Sequence, residues 1–158
     1  MTPQRHPITL SEPEMYVFAA KLSQVLMPGD TVLLDGPVGA GKTTLARAII
    51  QSAQGRVGAV DDVPSPTFTL LQSYPVGDIT YIHMDLYRLT SAEELEELGL
   101  WEPARQSVFL IEWPDRMEKL RPKTALTIRI EDGDTTRTLH FESENPAWAA
   151  RLERIAAA

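Results

Sequence analysis

Residues 36–44 read Gly36-Pro37-Val38-Gly39-Ala40-Gly41-Lys42-Thr43-Thr44, and the first eight fit the pattern G-x-x-x-x-G-K-[ST]. The spacing has a physical cause. Backbone N–H groups converge on a phosphate only where the chain curls tightly, which the glycines permit, and a following helix aims its positive end at the same point. The lysine then meets the outer phosphates and the threonine hydroxyl takes a place on magnesium. Pro37 has no N–H, which leaves Val38, Gly39, Ala40, Gly41, Lys42, Thr43 and Thr44 to form the cradle. The plain alternative is a glycine-rich turn that happens to precede a helix. Thr31 to Asp35 before the loop is an apolar strand, and Leu45, Ala48 and Ile49 after it lie on one helical face, continuing to about Gln54, with Gly55 expected as a left-handed stop. Strand, glycine loop and helix together predict an α/β fold: a P-loop NTPase-like, mostly parallel sheet flanked by helices.

The remaining chain extends that reading. Ile8 to Leu10 reads as a short strand, and Ser11 with Glu14 has the spacing of a capping box, so a helix begins there with Met15, Phe18, Leu22 and Val25 on one stripe. Residues 55–66 are irregular, and a long loop in a compact domain is often functional. Thr67 to Leu71 has the composition of a strand. Further strands are expected at Ile79 to Met84 and Ser107 to Ile111, with a helix from Ser91 to Leu98 between them, capped by Ser91 with Glu94 three residues on. Residues 125–130 and 136–141 alternate about Asp132-Gly133, predicting a C-terminal antiparallel hairpin, and Asn145-Pro146 starts a last helix. A single domain over 1–158 accounts for the whole chain, with Ala156 to Ala158 expected to fray.

Composition limits the function. The chain of 158 residues is 43% apolar and 23% charged, as ordinary globular proteins are, and no apolar run approaches the roughly 20 residues of a membrane span. The N-terminus lacks the features of an export signal, so no membrane association and a cytoplasmic location are expected. With no cysteine there is no disulfide, thiolate nucleophile or cysteine-held zinc, and the three histidines are scattered. A net charge of −7 argues against a large nucleic-acid footprint, which needs many Lys/Arg contacts to phosphate.

Many enzyme classes use such a loop. The guanine-reading N-K-x-D element is excluded, because the sole asparagine is Asn145 in Asn-Pro-Ala-Trp. No aspartate is followed three residues later by glycine, and no LSGGQ stretch is present, so the usual GTPase switch and the ABC class are missing. Two acids end predicted strands, Asp85 and Glu112. In open α/β sheets such ends face the ligand crevice, so both carboxylates come within reach of magnesium or an attacking water beside Thr43; spacing does not divide the two roles. Each is also readable as a solvated strand-end acid. Ser65-Pro-Thr-Phe-Thr69 offers hydroxyls for a γ-phosphate-sensing segment, or is a simple turn fixed by Pro64 and Pro66. His83, in an apolar strand, reads better as a core or edge histidine than as a base, and Glu93, Glu94, Glu96 and Glu97 as a solvated helix face.

Four ordered motifs, Gly36-Pro-Val-Gly-Ala-Gly-Lys-Thr43, Ser65-Pro-Thr-Phe68, His83-Met-Asp-Leu-Tyr-Arg-Leu89 and Ile111-Glu-Trp-Pro114, make the chain resemble the TsaE family over roughly residues 8 to 142. The resemblance implies a bacterial ATPase of tRNA threonylcarbamoyladenosine biosynthesis that takes ATP and Mg2+ and works with the proteins TsaB and TsaD, meeting tRNA only indirectly through that complex. TsaC or its relatives supply the threonylcarbamoyl-adenylate and TsaD makes the transfer; ATP hydrolysis by the TsaE component resets the complex between rounds. Carried over by position, the resemblance puts magnesium on Thr43 and Glu112, and makes Lys42, Asp85 and Glu112 the catalytic set. It makes Ser65 and Thr67 the switch and Trp113 a wall of the site, and adds nucleotide contacts from Ser11 and Arg137. Pro37-Val38 departs from the acidic residue and leucine usual in the family, which touches the loop's entrance more than its phosphate positions. Two other readings stay open: a small-molecule P-loop kinase, which would need arginines on a lid where the region between Asp85 and Ile111 offers Arg88 and Arg105, and an ATP-sensing subunit without turnover.

Overall fold

A computed structural model of the chain describes residues 2–99 and 106–157. The described elements are β1 (Thr2–Ser11), α1 (Glu12–Val25), β2 (Thr31–Asp35), α2 (Lys42–Gly55), β3 (Leu71–Val76), β4 (Ile79–Asp85), α3 (Ala92–Glu97), β5 (Ser107–Glu112), a 3-10 helix (Pro114–Leu120), β6 (Leu126–Asp132), β7 (Thr136–Ser143) and α4 (Ala147–Ala157). All seven strands join one sheet in the order β1-β7-β6-β2-β5-β4-β3. Its centre is parallel: β2 pairs with β5 and β6, and β4 with β5. Its two margins are antiparallel, β7 and β1 on one side and β3 on the other. The parallel expectation therefore holds for the four middle strands, whose C-terminal ends deliver Asp35, Asp85 and Glu112 to one edge of the sheet. The C-terminal hairpin is present, and β1 extends it by pairing along β7.

Alternation of side chains across the strands explains the two layers. Val32, Leu34, Val108, Leu110, Ile128 and Phe141 face one way, beneath Phe18 and Leu22 of α1, Leu45 and Ile49 of α2 and Trp148 of α4. Leu33, Ile82, Met84, Phe109 and Ile111 face the other, covered by Leu95 of α3 and Met117 of the 3-10 helix. β5 is buried at every position, as expected of a central parallel strand closed on both faces. Helix ends obey local chemistry. Ser11 accepts from the Glu14 backbone while the Glu14 carboxylate accepts from Ser11 N–H, closing the capping box and holding the Glu14 carboxyl below its ordinary range. Asn145 Oδ1 accepts from Ala147 N–H and opens α4, which runs to Ala157; Ala158 lies outside the described residues.

Three local expectations need correction. Thr67 to Leu71 is not a strand: the chain turns at 67–70, with Leu70 N–H donating to Pro66 O at 2.7 Å and Leu70 at φ 70°, and pairing starts at Leu71. The turn wins over strand propensity because the Ser65 and Thr67 hydroxyls are engaged by a buried carboxylate, described below. β3 was hidden in the sequence by Pro75, which an edge strand tolerates because its missing N–H faces away from the ladder. Gly55 is not a left-handed stop either. It is the last helical residue, followed by Arg56 in right-handed conformation, whose N–H turns back to Ala53 O while Val57 N–H donates to Gln54 O. At the N-terminus of α3, Ser91 makes no side-chain cap; Glu94 instead accepts from both the backbone and the hydroxyl of Thr90.

The irregular loop after α2 is strapped to that helix. Arg47 Nε donates to Val63 O, Gln51 to Asp61 O, and Gln54 exchanges two hydrogen bonds with Asp61, while Val63 is buried. At the other end of α2, Gly36 (φ 144°) passes so close to β6 that a Cβ there would lie 2.6 Å from Ile130 O. Gly36→Ala is therefore expected to destabilise the fold by about 2 kcal/mol or more, read as a lower denaturation midpoint at unchanged slope.

Candidate functional site

The loop between β2 and α2 wraps a helix end. Gly41 is the N-cap of α2 at φ 104° and offers no side chain, so the first N–H groups of the helix point into a cavity of about 410 Å³. Val38, Gly39, Gly41, Lys42, Thr43 and Thr44 line one side of it; Ser65, Thr67, Asp85, Tyr87, Glu112 and Trp113 line the other. Ala40 is buried under the loop, and its N–H closes a turn onto Pro37 O. Pro37 thus contributes a carbonyl where it lacks a donor, and Val38 stands 76% exposed at the mouth.

Lys42 is the buried cation of this cavity. Its Nζ donates to Gly36 O at 2.6 Å and Pro37 O at 2.8 Å, and lies 4.0 Å from the centre of the Trp113 ring. Burial pushes the ammonium below its ordinary pKa, while Glu112, Asp35, Asp85 and Asp115 oppose that shift by their negative charge. Trp113 adopts φ 60°, an uncommon conformation outside glycine, and so turns its ring from the end of β5 over the lysine.

The two strand-end acids, paired neighbours in the β4–β5 ladder, have different partners. Glu112 is 2% exposed; both of its oxygens accept from the Thr43 hydroxyl, at 2.9 and 3.0 Å, and Oε2 also meets His83 Nε2 at 2.6 Å. Asp85 is 4% exposed; Oδ2 accepts from Thr67 Oγ1 at 2.9 Å and Ser65 Oγ at 3.3 Å, and Oδ1 from Tyr87 N–H at 3.0 Å. Neither acid is a solvated strand end. Glu112 is joined to the P-loop and Asp85 to the 65–67 segment.

A second hollow of about 250 Å³ adjoins the first across Gly41 and Thr44, bounded by Glu12, Met15, Asp134, Thr135 and Arg137. Arg137 braces the loop from behind: Nε donates to Ala40 O at 2.9 Å, and Nη1 pairs with Asp132 at 2.9 Å and donates to Thr136 O. Ser11 caps α1 beside this hollow, opposite Thr136 in the ladder, and does not itself line it. Arg88 lies 5.0 Å from the centre of the exposed Phe68 ring, outside the cavity lined by the loop, and Arg105 lies outside the described residues.

One residue was undervalued in the sequence. His83 is fully buried, but its ring is attached to Glu112 and not merely packed in the core. The signal was present: His83 stands two residues before Asp85 on one strand, so the two side chains share a face. Among the described residues no cluster of three His, Asp or Glu side chains could hold a metal by itself. Magnesium commonly takes one or two protein oxygens and completes its shell with substrate phosphates and water, and the Thr43–Glu112 pair fits that requirement. No described helix is long and apolar enough to cross a membrane.

Comparison with known proteins agrees with this architecture. Residues 9–139 match the family described as "Threonylcarbamoyl adenosine biosynthesis protein TsaE". A protein of Rickettsia conorii named "tRNA threonylcarbamoyladenosine biosynthesis protein TsaE" is 40% identical over 129 residues, covering 82% of this chain and 72% of that protein. The Bacillus subtilis protein of the same name is 37% identical over 149 residues, covering 93% of this chain and 90% of its own length. The crystal structure of Bacillus subtilis YdiB superposes with a TM-score of 0.79 at 28% identity, over 99% of this chain and 97% of that one. On the strength of a family match that spans most of its length and of relatives matched over 72% and 90% of theirs, the chain belongs to the TsaE family.

Proposed function

We propose that the chain binds ATP with magnesium and hydrolyses it as the nucleotide-driven component of tRNA threonylcarbamoyladenosine formation, promoting turnover of a TsaB–TsaD complex and meeting tRNA only through it. The observation that carries the reading is the convergence, in one cavity, of a helix N-terminus, a buried lysine and two buried carboxylates on adjacent strand ends. The names of the relatives supply the pathway.

In this reading the N–H groups of Val38, Gly39 and Gly41 to Thr44 bind the phosphates, that of Ala40 being committed to Pro37 O, and Lys42 moves from the Gly36 and Pro37 carbonyls to a phosphate oxygen. Thr43 and Glu112 would hold magnesium, which when bound would supply neutralisation of phosphate charge. Asp85 orients the attacking water and releases Ser65 and Thr67 toward the γ-phosphate. Trp113 excludes water above Lys42. The base and ribose lie toward the hollow beside Arg137; the Ser11 hydroxyl, next to that hollow without lining it, keeps a proton to donate even while it caps α1.

The test is phosphate release by the protein alone, with TsaB–TsaD, and with tRNA added. Release stimulated by the partner proteins is the expected result. Transfer of the γ-phosphate to a metabolite would replace the reading with a kinase, and magnesium-ATP binding without release under all three conditions would replace it with a sensor.

A further inference from the structure

We propose that His83 is a positioning residue for the magnesium site, holding Glu112 in the orientation that Thr43 shares. The inference rests on the magnesium-ATP reading above and assigns to the site a residue beyond its direct ligands.

The geometry is specific. His83 stands opposite Leu110 in the parallel β4–β5 register, and Glu112 lies two residues further along β5, on the same face of the sheet. From there the ring reaches diagonally to Oε2 of Glu112 at 2.6 Å, with histidine and glutamate both buried. A glutamate side chain has three rotatable bonds, and the Thr43 hydroxyl, bonded to both oxygens, cannot by itself fix the plane of the carboxylate. A second donor, on Oε2, does so, and leaves Oε1 to the Thr43 hydroxyl.

The other ring nitrogen shows that the arrangement is not general core satisfaction. Nδ1 is buried and has no hydrogen-bond partner among the described residues, so the ring's polar interaction is with Glu112 alone. An unpartnered buried nitrogen is a cost, about 1 kcal/mol or more, that a leucine or phenylalanine in the same apolar strand would not incur. In a neutral ring whose Nε2 donates to the carboxylate, Nδ1 keeps only a lone pair, the cheaper group to leave unmatched. Outer partners of metal-holding side chains typically govern metal affinity by 10- to 100-fold when removed.

The test uses the full chain, Mn2+ as a paramagnetic stand-in for magnesium, and ADP, with nucleotide affinity measured separately in EDTA. His83→Leu is expected to keep metal-free nucleotide affinity within about twofold and to weaken Mn2+ binding to the protein–ADP complex about tenfold. His83→Gln, whose Nε2 occupies nearly the same position as the imidazole Nε2, should recover to within about threefold of the parent. His83→Asn, too short to reach Oε2, should behave as leucine does. Parental Mn2+ affinity in His83→Leu overturns the proposal. Should the leucine variant not fold, equal affinities in the glutamine and asparagine variants overturn it instead. Loss of nucleotide and Mn2+ binding in the parent protein itself would refute the magnesium-nucleotide reading, an outcome distinct from failure of the His83 assignment.

Discussion

Lys42→Ala is expected to lose magnesium-ATP binding by roughly 100-fold or more, measured by titration of the purified protein with a fluorescent ATP analogue. The magnitude follows from what the ammonium supplies. A hydrogen bond to a charged group contributes about 1.5–3 kcal/mol, and two such bonds to phosphate oxygens in a water-poor cavity correspond to at least two orders of magnitude in affinity. Lys42 is prepared for that role by being buried without a committed carboxylate. Its two hydrogen bonds go to the neutral carbonyls of Gly36 and Pro37, which an incoming phosphate can displace. Its lowered pKa, due first to burial, describes a cation short of solvation that gains by meeting an anion. Lys42→Met is the companion variant, since it keeps the contact with Trp113 while removing the charge. Affinity unchanged in both variants would remove the P-loop reading.

Glu112→Gln is expected to retain nucleotide binding in EDTA and to lose magnesium-dependent phosphate release by about 100-fold or more in the presence of the partner proteins. Glutamine preserves the shape of the side chain and can still accept from Thr43, so the strand end should remain packed. What it removes is the negative charge at the one point where the P-loop threonine and a strand-end acid share a proton bridge. Asp85→Asn serves as the comparison. It disturbs the hydroxyls of Ser65 and Thr67, so it should slow release while leaving Mn2+ affinity close to that of the parent. Equal loss of Mn2+ affinity in the two variants would show that the acids divide their work differently from the proposal.

The different partners of these two acids mark the limit of the sequence reading. Asp85 and Glu112 each end an apolar strand, and by spacing alone they are interchangeable. They become different because β4 and β5 are neighbours and α2 is folded over them, which brings Thr43 above Glu112 and the 65–67 turn above Asp85. The misread segment at Thr67 to Leu71 has the same origin. Its residues favour a strand locally, but the Thr67 hydroxyl at its start and that of Ser65 just before it are drawn to Asp85, 18 and 20 residues further along the chain. His83 was underrated for a related reason: an apolar strand explains a histidine well enough until the neighbouring strand is known.

Local chemistry fixed whatever depends on a few consecutive residues. The curl of Gly36 to Thr43, the strand before it, the helix after it, the capping box at Ser11 and Glu14 and the hairpin about Asp132-Gly133 are all short-range, and each was written in spacing and residue type. The loop therefore supports the proposal of a phosphate site without help from the rest of the chain. Which acid joins Thr43, why a tryptophan lies over Lys42, how Arg137 braces a loop 97 residues away and what His83 is for depend on the order of strands in the sheet. That order brings β5 between β2 and β4 and folds β7 back behind the P-loop, and it is set by burial of two apolar faces across long crossovers, a balance summed over the whole core that no short motif encodes.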